Sequence, residues 1–449
     1  MTPIYDAVIC GAGIAGVAAA YELAVRRGWR RVAVVDERDP LTLTSDKSTE
    51  AYRNWWPGPD DAMVRLMNRS INQLEALAHA SGNLFRLNRR GYVYATAQAA
   101  RVPIFRQAAE QAAAQGAGAL RVDDYQPHAA EGFEDAPDGA DLLLDASLIR
   151  RHFPYLSQKT QAIIHARRCG WFSSTELGLY LFEQARAAGM EFVRARLTGI
   201  DAPGGRVTGV RLSDGRTLPT GIVINAAGPL VNDVAGLLGL SLPIFCERHT
   251  KLAFRDHRGV VPREAPLLIW ADPQTLPWDD DERELLAEDP AAAWMVAELP
   301  AGVHTRPEGG HGSDILLMLW AYDAHPAPPT FPLEFDPAFD EVVLRGLTTM
   351  LPGLAAYRGK GGRPAYDGGY YVKTKENRLL AGPLPVEGAY VLGALSGYGL
   401  MAACGAAELL GAHLAGDPLP DYAAAFAPAR YADPEYRARL EAWDDTGQL

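Results

Sequence analysis

Residues 11–16, Gly11-Ala12-Gly13-Ile14-Ala15-Gly16, and the carboxylate of Asp36 twenty positions further on have the types and spacing to hold a dinucleotide. Gly11 permits a sharp turn, Gly13 lets a pyrophosphate approach the backbone, and Gly16 lets the following helix lie close to the strand. Ile14 and Ala15 begin that helix, whose exposed N–H groups and partial positive charge favour phosphate. Asp36, with Glu37 beside it, is placed to accept from a ribose hydroxyl. A Gly-rich turn that merely packed would leave Asp36 without a purpose.

A second chemistry-bearing stretch is SDKSTEAYRNWWPG at 45–58. Arg53 can hold a carboxylate with two parallel hydrogen bonds. Its structural alternative is a surface ion pair. Trp55 and Trp56 are adjacent, so they point in different directions and only one of them is expected to face a site. An aromatic face there could hold an alkylated ammonium, a task for which Trp320, Tyr370 and Tyr371 compete; domain-interface packing is the plainer reading. Further along, NAAGP at 225–229 should end a strand beside the ligand, and GALSGYGL at 393–400 should open a helix. A helix N-terminus aimed at a flavin's pyrimidine edge stabilises the negative charge of the reduced ring. Nicotinamide needs no such partner.

The elements that must position these groups follow from hydrophobic patterning. IYDAVIC (4–10) and RVAVVD (31–36) read as buried strands flanking a helix over 14–27, a βαβ unit. Helices are expected through MVRLMNRSINQLEALAHA, near 101–115 and in ELGLYLFEQARAAG, with strands at GYVYAT, EFVRA, VTGVRLSDG and GIVIN. From 249 to 345 the texture changes to strand-like KLAFRD, APLLIWA and DILLMLWAY, broken by an acidic, Pro-rich insertion at 272–290. The fold class expected is α/β: a Rossmann-type domain made of 1–90, 145–245 and 362–427, with an inserted α+β substrate domain on an antiparallel sheet made of 91–144 and 246–361. Residues 428–449 read as a peripheral tail.

The chain's 449 residues can bury a large core, and a formal charge of −12 without a Lys/Arg block argues against nucleic acid or an anionic membrane as partner. A small molecule is the default. No apolar run is long enough to insert in a bilayer and no secretory signal is read, so the cytoplasm is expected. Cys10, Cys169, Cys246 and Cys404 lack paired spacing, and His249, His304, His311 and His325 lack metal-ligand spacing. Neither disulfide nor metal is expected, and the histidines read as solvated loop residues.

ICGAGIAG, GYVYAT, NAAGPLVNDVAGLLGL and ENRLLAGPLPVEGAYVLGALSGYGLMAACG together resemble the D-amino-acid oxidase superfamily across about residues 4–427, in a pattern similar to monomeric sarcosine oxidase, glycine oxidase and the dimethylglycine dehydrogenases. The resemblance implies FAD. It implies that Ser45, Lys47, Ser48 and Thr49 run along the pyrophosphate and flavin, and that Ala227, Gly228, Gly397, Tyr398, Gly399, Leu400 and Met401 complete the cofactor site. Sarcosine oxidase is similar at YYVKT, but Gly369 stands where its flavin-linking cysteine falls, and the 45–58 loop has no histidine, so FAD should be noncovalent. Met318 matches the position of the family's oxygen-activating lysine, and Met401 that of a carboxylate-binding lysine, while Arg53 matches the carboxylate-binding arginine. Without a cation near the flavin, reaction with O2 should be slow unless Lys251 or Lys373 substitutes. Lys375 beside them reads equally as a surface charge.

The expected activity is oxidation of the C–N bond of an amine or amino acid such as a sarcosine-like secondary amine, glycine or a D-amino acid. A hydride passes to flavin and the imine hydrolyses. Arg53, Trp55, Met318 and Tyr371 are the residues expected at the reacting centre, with Arg248 and Arg363 as second-choice anchors. The electron acceptor is O2 or a redox partner, which would make the chain a dehydrogenase or one subunit of a larger one. A flavin monooxygenase is the weaker alternative, since the chain has no second GxGxxG.

Overall fold

The computed structural model describes residues 4–128, 132–310, 312–359 and 364–443; Arg363 and His311 lie outside them. Two sheets organise the molecule. The first has six strands in the order Leu380–Pro383, Ala389–Gly393, Val223–Asn225, Ala7–Cys10, Val32–Asp36, Glu191–Arg194. All neighbours are parallel except the Leu380–Pro383 edge. The strands Ala7–Cys10 and Val223–Asn225 are buried along their whole length, which is why VIC and VIN read as unbroken apolar runs.

Helices Ile14–Tyr21, Ala62–Ser81, Ser174–Ala187 and Gly399–Ala415 share one core with this sheet. The first runs on into a wider turn at Glu22–Arg26. Gly405 lets the last helix close on Ala62–Ser81: a Cβ there would stand 3.0 Å from the Ser70 Cβ. The Ser70 hydroxyl accepts from the Gly405 N–H at 3.1 Å.

The second sheet has nine strands, in the order Ala365–Lys373, Phe245–Arg255, Ile315–Leu319, His304–Glu308, Leu267–Trp270, Tyr92–Thr96, Ala162–Ala166, Ala140–Leu143, Leu120–Val122. It is mainly antiparallel. Two of its strands, Ala162–Ala166 and Ala365–Lys373, come from segments expected in the cofactor domain: they alternate in sequence with that domain but find their hydrogen-bond partners here. Registers carry one row of side chains across the sheet: Asp367, Lys251, Leu319, His304, Ile269, Tyr94. Successive residues of a strand point to opposite faces, so Met318 belongs to the other face, under helix Phe339–Met350.

The C-terminal segment is not peripheral throughout. Glu376, fully buried, accepts from Arg430 Nη2 at 2.9 Å, from the Tyr431 hydroxyl at 2.7 Å and from the Tyr436 hydroxyl at 2.9 Å. Apolar and ionic packing both fix this end of the chain, because Tyr436 is buried too. Residues 444–449 lie outside the described residues.

Candidate active site

The βαβ turn forms as its glycines require. Gly11 has φ +106°, and a Cβ on it would stand 2.4 Å from the Ala226 carbonyl oxygen. At Gly16 a Cβ would stand 1.9 Å from the Gly11 oxygen, so this glycine serves helix–strand approach rather than a ligand. Asp36 Oδ2 accepts the Ala12 N–H at 2.8 Å and Oδ1 accepts the Arg38 N–H at 2.9 Å. Those bonds orient the carboxylate at the end of its strand and leave it lone pairs for hydroxyls. The Ile14 N–H is bonded to Ser45 Oγ at 2.9 Å. Ser45 thereby reaches the helix N-terminus from the next loop, with its own hydroxyl proton available for an anion.

A cleft enclosing about 1610 Å³ of empty space, part of it open to solvent, runs along this turn. Gly11, Gly13, Ile14 and Ala15 line one stretch, Asp36 and Glu37 one end, and Ser45, Lys47 and Ser48 a side. Ala227, Gly228, Gly397, Gly399 and Leu400 line the remainder, with Tyr371. Thr49, Tyr398 and Met401, expected at the cofactor, line a second cavity instead. The size, the paired glycines, the oriented carboxylate and two helix N-termini fit FAD. Val35, Leu197 and Val234 also line the cleft; these apolar residues carried no signal beyond ordinary strand and helix patterning.

Helix Gly399–Ala415 begins at the cleft without a side-chain cap, so its first N–H groups can serve a ligand. The approach is strained: Ala394 and Ser396 have φ of 53° and 50°. Such non-glycine left-handed residues cost about 1–3 kcal/mol each and concentrate at functional sites. A Cβ on Gly369 would stand 3.2 Å from the Lys47 Cβ. Cys10 is the sole cysteine at the cleft among the described residues; burial pushes its thiol up to about 12, which keeps it a poor nucleophile.

The loop 45–50 is tied to the nine-stranded sheet by two cations. Lys251 Nζ donates to the Asp46 carbonyl at 2.9 Å and to the Ser48 carbonyl at 3.0 Å. Arg306 Nε donates to the Thr49 carbonyl at 2.7 Å. With its carbonyls drawn towards the sheet, the loop is held along the cleft. Burial pushes the Lys251 ammonium below its usual range. Lys373 instead faces Glu247, at 3.2 Å. Lys375 donates to the Glu441 carbonyl on the surface, and Arg248 donates to the Glu334 carbonyl and lies 3.9 Å from Asp323.

The second cavity, about 620 Å³ of empty space, meets the cleft at Tyr371 and Gly397, which line both. Arg53 lines it. The Arg53 Nη1 donates to the Tyr94 hydroxyl at 2.8 Å, its guanidinium carbon lies 4.1 Å from the Trp56 ring centroid, and its N–H meets the Met401 sulfur at 3.4 Å. Trp56, not Trp55, lines the cavity: it meets Tyr398 edge-on at 5.3 Å. Trp55 turns the other way into the core beside Tyr94, because the short strand Ala51–Arg53 ends and alternate side chains diverge.

Met318 is likewise corrected. Its side chain lies fully buried in the opposite core, and Leu319 takes the cavity face between Lys251 and His304. Strand alternation makes a one-residue slip a change of face. Trp320 reaches the edge of the second cavity, but its ring is anchored in that opposite core, where a Cβ on Gly346 would stand 2.3 Å from it.

Two histidines expected as solvated loop residues are strand residues of the cavity. His249 stacks on Tyr371 with centroids 3.7 Å apart, and its Nε2 lies 3.3 Å from Glu247 Oε2. His304 Nδ1 lies 2.8 Å from the Gly302 carbonyl. Burial holds both rings below the usual imidazole range, His304 at about 4, and pushes the Tyr371 hydroxyl up to about 12. The alternation Glu247, His249, Lys251 was a readable sign that this piece is strand. Among the described residues, no cluster of His, Cys, Asp and Glu has the geometry of a metal site, and no helix is long and apolar enough to cross a membrane.

Comparison with known proteins bears on this geometry. A family model described as "DAO: FAD dependent oxidoreductase" matches residues 6–413. No curated protein sequence matches the chain. Among solved structures, L-proline dehydrogenase from P. horikoshii superposes with TM-score 0.72 at 20% identity, covering 96% of this chain and 99% of its own. Glycine oxidase from Geobacillus kaustophilus gives 0.72 at 16% identity, with 95% and 98% covered. Iminodiacetate oxidase from Chelativorans sp. BNC1 gives 0.69 at 18% identity, with 94% and 98% covered. At these identities the likeness is one of fold.

Proposed function

The chain belongs to the FAD-dependent oxidoreductase family DAO, and we propose that it oxidises the C–N bond of an amino acid or a similar small amine that carries a carboxylate. The observation that carries this reading is the junction at Tyr371 and Gly397, where a cleft suited to FAD opens into a cavity holding Arg53. The Gly11–Gly16 turn, Asp36, Ser45 and the Gly399 helix start would hold FAD noncovalently, and FAD would supply the acceptor for a hydride, that is, two electrons and one proton.

The chain's own residues supply orientation. Arg53, braced by Trp56 and Tyr94, would hold the carboxylate. With that end fixed, the carbon bearing the amine is directed to the junction, and positioning of this kind accounts for much of catalysis. Trp56, Tyr92, Tyr371 and Tyr398 wall the cavity with aromatic surface. Neutral histidines suit an amine that has lost its proton. The imine formed is released to hydrolyse in water. The glycine oxidase and iminodiacetate oxidase that share the fold are named for donors of this kind.

A dehydrogenase is favoured over an oxidase by Leu319. The cavity face there is apolar, and Lys251 beside it is bonded to loop carbonyls. The test is anaerobic bleaching of the bound flavin by sarcosine, N,N-dimethylglycine, glycine, proline and D-amino acids, followed by air. Bleaching by one or more of these supports the reading; bleaching by NADPH alone overturns it.

A further inference from the structure

His304 opens the strand His304–Glu308 and is paired on either side with Leu319 and Ile269. That register places its ring in the row facing the cavity, which it lines with Arg53 and Tyr371. Its Nδ1 lies 2.8 Å from the Gly302 carbonyl oxygen. A carbonyl can only accept, so Nδ1 carries the proton, and in a neutral ring Nε2 presents a lone pair.

The charged and titratable groups around it come from four directions. Arg53 stands on the short strand Ala51–Arg53, and Tyr92 on the strand beyond Leu267–Trp270. Tyr371 stacks on His249, and behind His249 stand Glu247 and Lys373. The other imidazole of the cavity therefore has one face and its Nε2 engaged. Burial pushes the His304 ring down, the Gly302 carbonyl opposes this, and His249 and Arg53 add to the lowering.

We infer that His304 Nε2 accepts a hydrogen bond from the substrate's amine N–H, so that the site takes primary and secondary amino acids in preference to fully N-alkylated ones. This rests on the function proposed above, in which the cavity holds an amine anchored through its carboxylate. A tertiary amine in its neutral form has no N–H to give, and it leaves a buried acceptor facing a methyl group. Sites built around a hydrogen bond reject ligands that cannot make it.

The ligands for the test are 2-aminoisobutyrate, which has no hydrogen on the carbon bearing nitrogen and cannot be oxidised there, and pivalate, which replaces the amine by methyl. Calorimetric titration of the FAD-loaded protein at alkaline pH should show the amine ligand bound on the order of tenfold more tightly than pivalate. His304→Leu should abolish that preference, and His304→Gln, whose amide oxygen can accept, should retain part of it. An equal preference in wild type and His304→Leu overturns the inference.

Flavin reduction separates the two readings. Sarcosine should reduce wild type faster than N,N-dimethylglycine, and His304→Leu should bring the ratio towards one. If both reduce it and the ratio is unchanged in His304→Leu, the role of His304 falls and the proposed function stands. If the two carboxylate ligands bind but no amine in the panel reduces the flavin, the proposed function falls; if neither ligand binds, both fall.

Discussion

The guanidinium carbon of Arg53 lies 4.1 Å from the ring centroid of Trp56, three residues further along the chain. The stack fixes the plane of the guanidinium, and the bond to Tyr94 fixes its rotation about that plane. Arg53→Met should raise KM for carboxylate substrates on the order of 100-fold, about 2.7 kcal/mol. Arg53→Lys should recover only part of this, because an ammonium neither stacks nor forks. Steady-state rates with a dye acceptor, with and without a carboxylate on the amine, check it: a neutral amine's KM should hardly move.

The two adjacent tryptophans should separate by phenotype. Trp56→Leu should change KM for the substrate with a modest loss of stability. Trp55→Ala should cost about 3–5 kcal/mol of stability by emptying a core site and leave KM unchanged. Thermal melts paired with substrate titrations of each variant distinguish them.

Asp36→Ala should weaken FAD binding on the order of tenfold, since it removes both a ribose acceptor and the partner of the Ala12 N–H. Fluorescence titration of apoprotein with FAD measures the change. FMN, which lacks the adenosine half, should not respond to it.

Reoxidation of the substrate-reduced flavin by air should be slow in wild type and fast with an artificial dye. Leu319→Lys places an ammonium on the cavity face and should raise the air reaction on the order of tenfold or more. Stopped-flow reoxidation decides the matter, and an unchanged rate would remove Leu319 from consideration.

Glu376 gives a pH dependence of stability. Burial pushes its carboxyl up, but the Arg430 charge and the hydrogen bonds outweigh this and hold it below the ordinary value. A depressed folded value means that the contribution is complete above the unfolded pKa of about 4.3 and is lost as pH falls through the folded one. Glu376→Gln should lower Tm by several degrees at neutral pH, since a buried Arg430 loses its counter-charge. The gap between the two melting curves should stay constant above about pH 5 and narrow below about pH 4.

The cofactor half was legible because its signals are local. Gly11, Gly13, Gly16 and Asp36 belong to one βαβ unit, and each is required by geometry within that unit. The substrate half depends on register between distant strands. Lys251, Leu319 and His304 are neighbours through pairings that no short pattern encodes, so a one-residue slip put Met318 where Leu319 stands. His249 and His304 read as loop residues because the strands that carry them are short or interrupted in sequence by charge. Trp55 and Trp56 could not be told apart, since the strand Ala51–Arg53 stops just before them.

The six-stranded order has a consequence for the chain's synthesis. Ala7–Cys10 lies beside Val223–Asn225, which in turn lies beside Ala389–Gly393. A nascent polypeptide that has emerged as far as residue 350 already holds the Gly11 turn and Asp36, yet it lacks both the third of these strands and the helix start at Gly399. Cofactor capture must therefore wait until the strand Ala389–Gly393 and the helix start at Gly399 have emerged. Until then the apolar edge of Val223–Asn225 is exposed to whatever else is in solution, and FAD supply and chaperone protection should matter most in that interval.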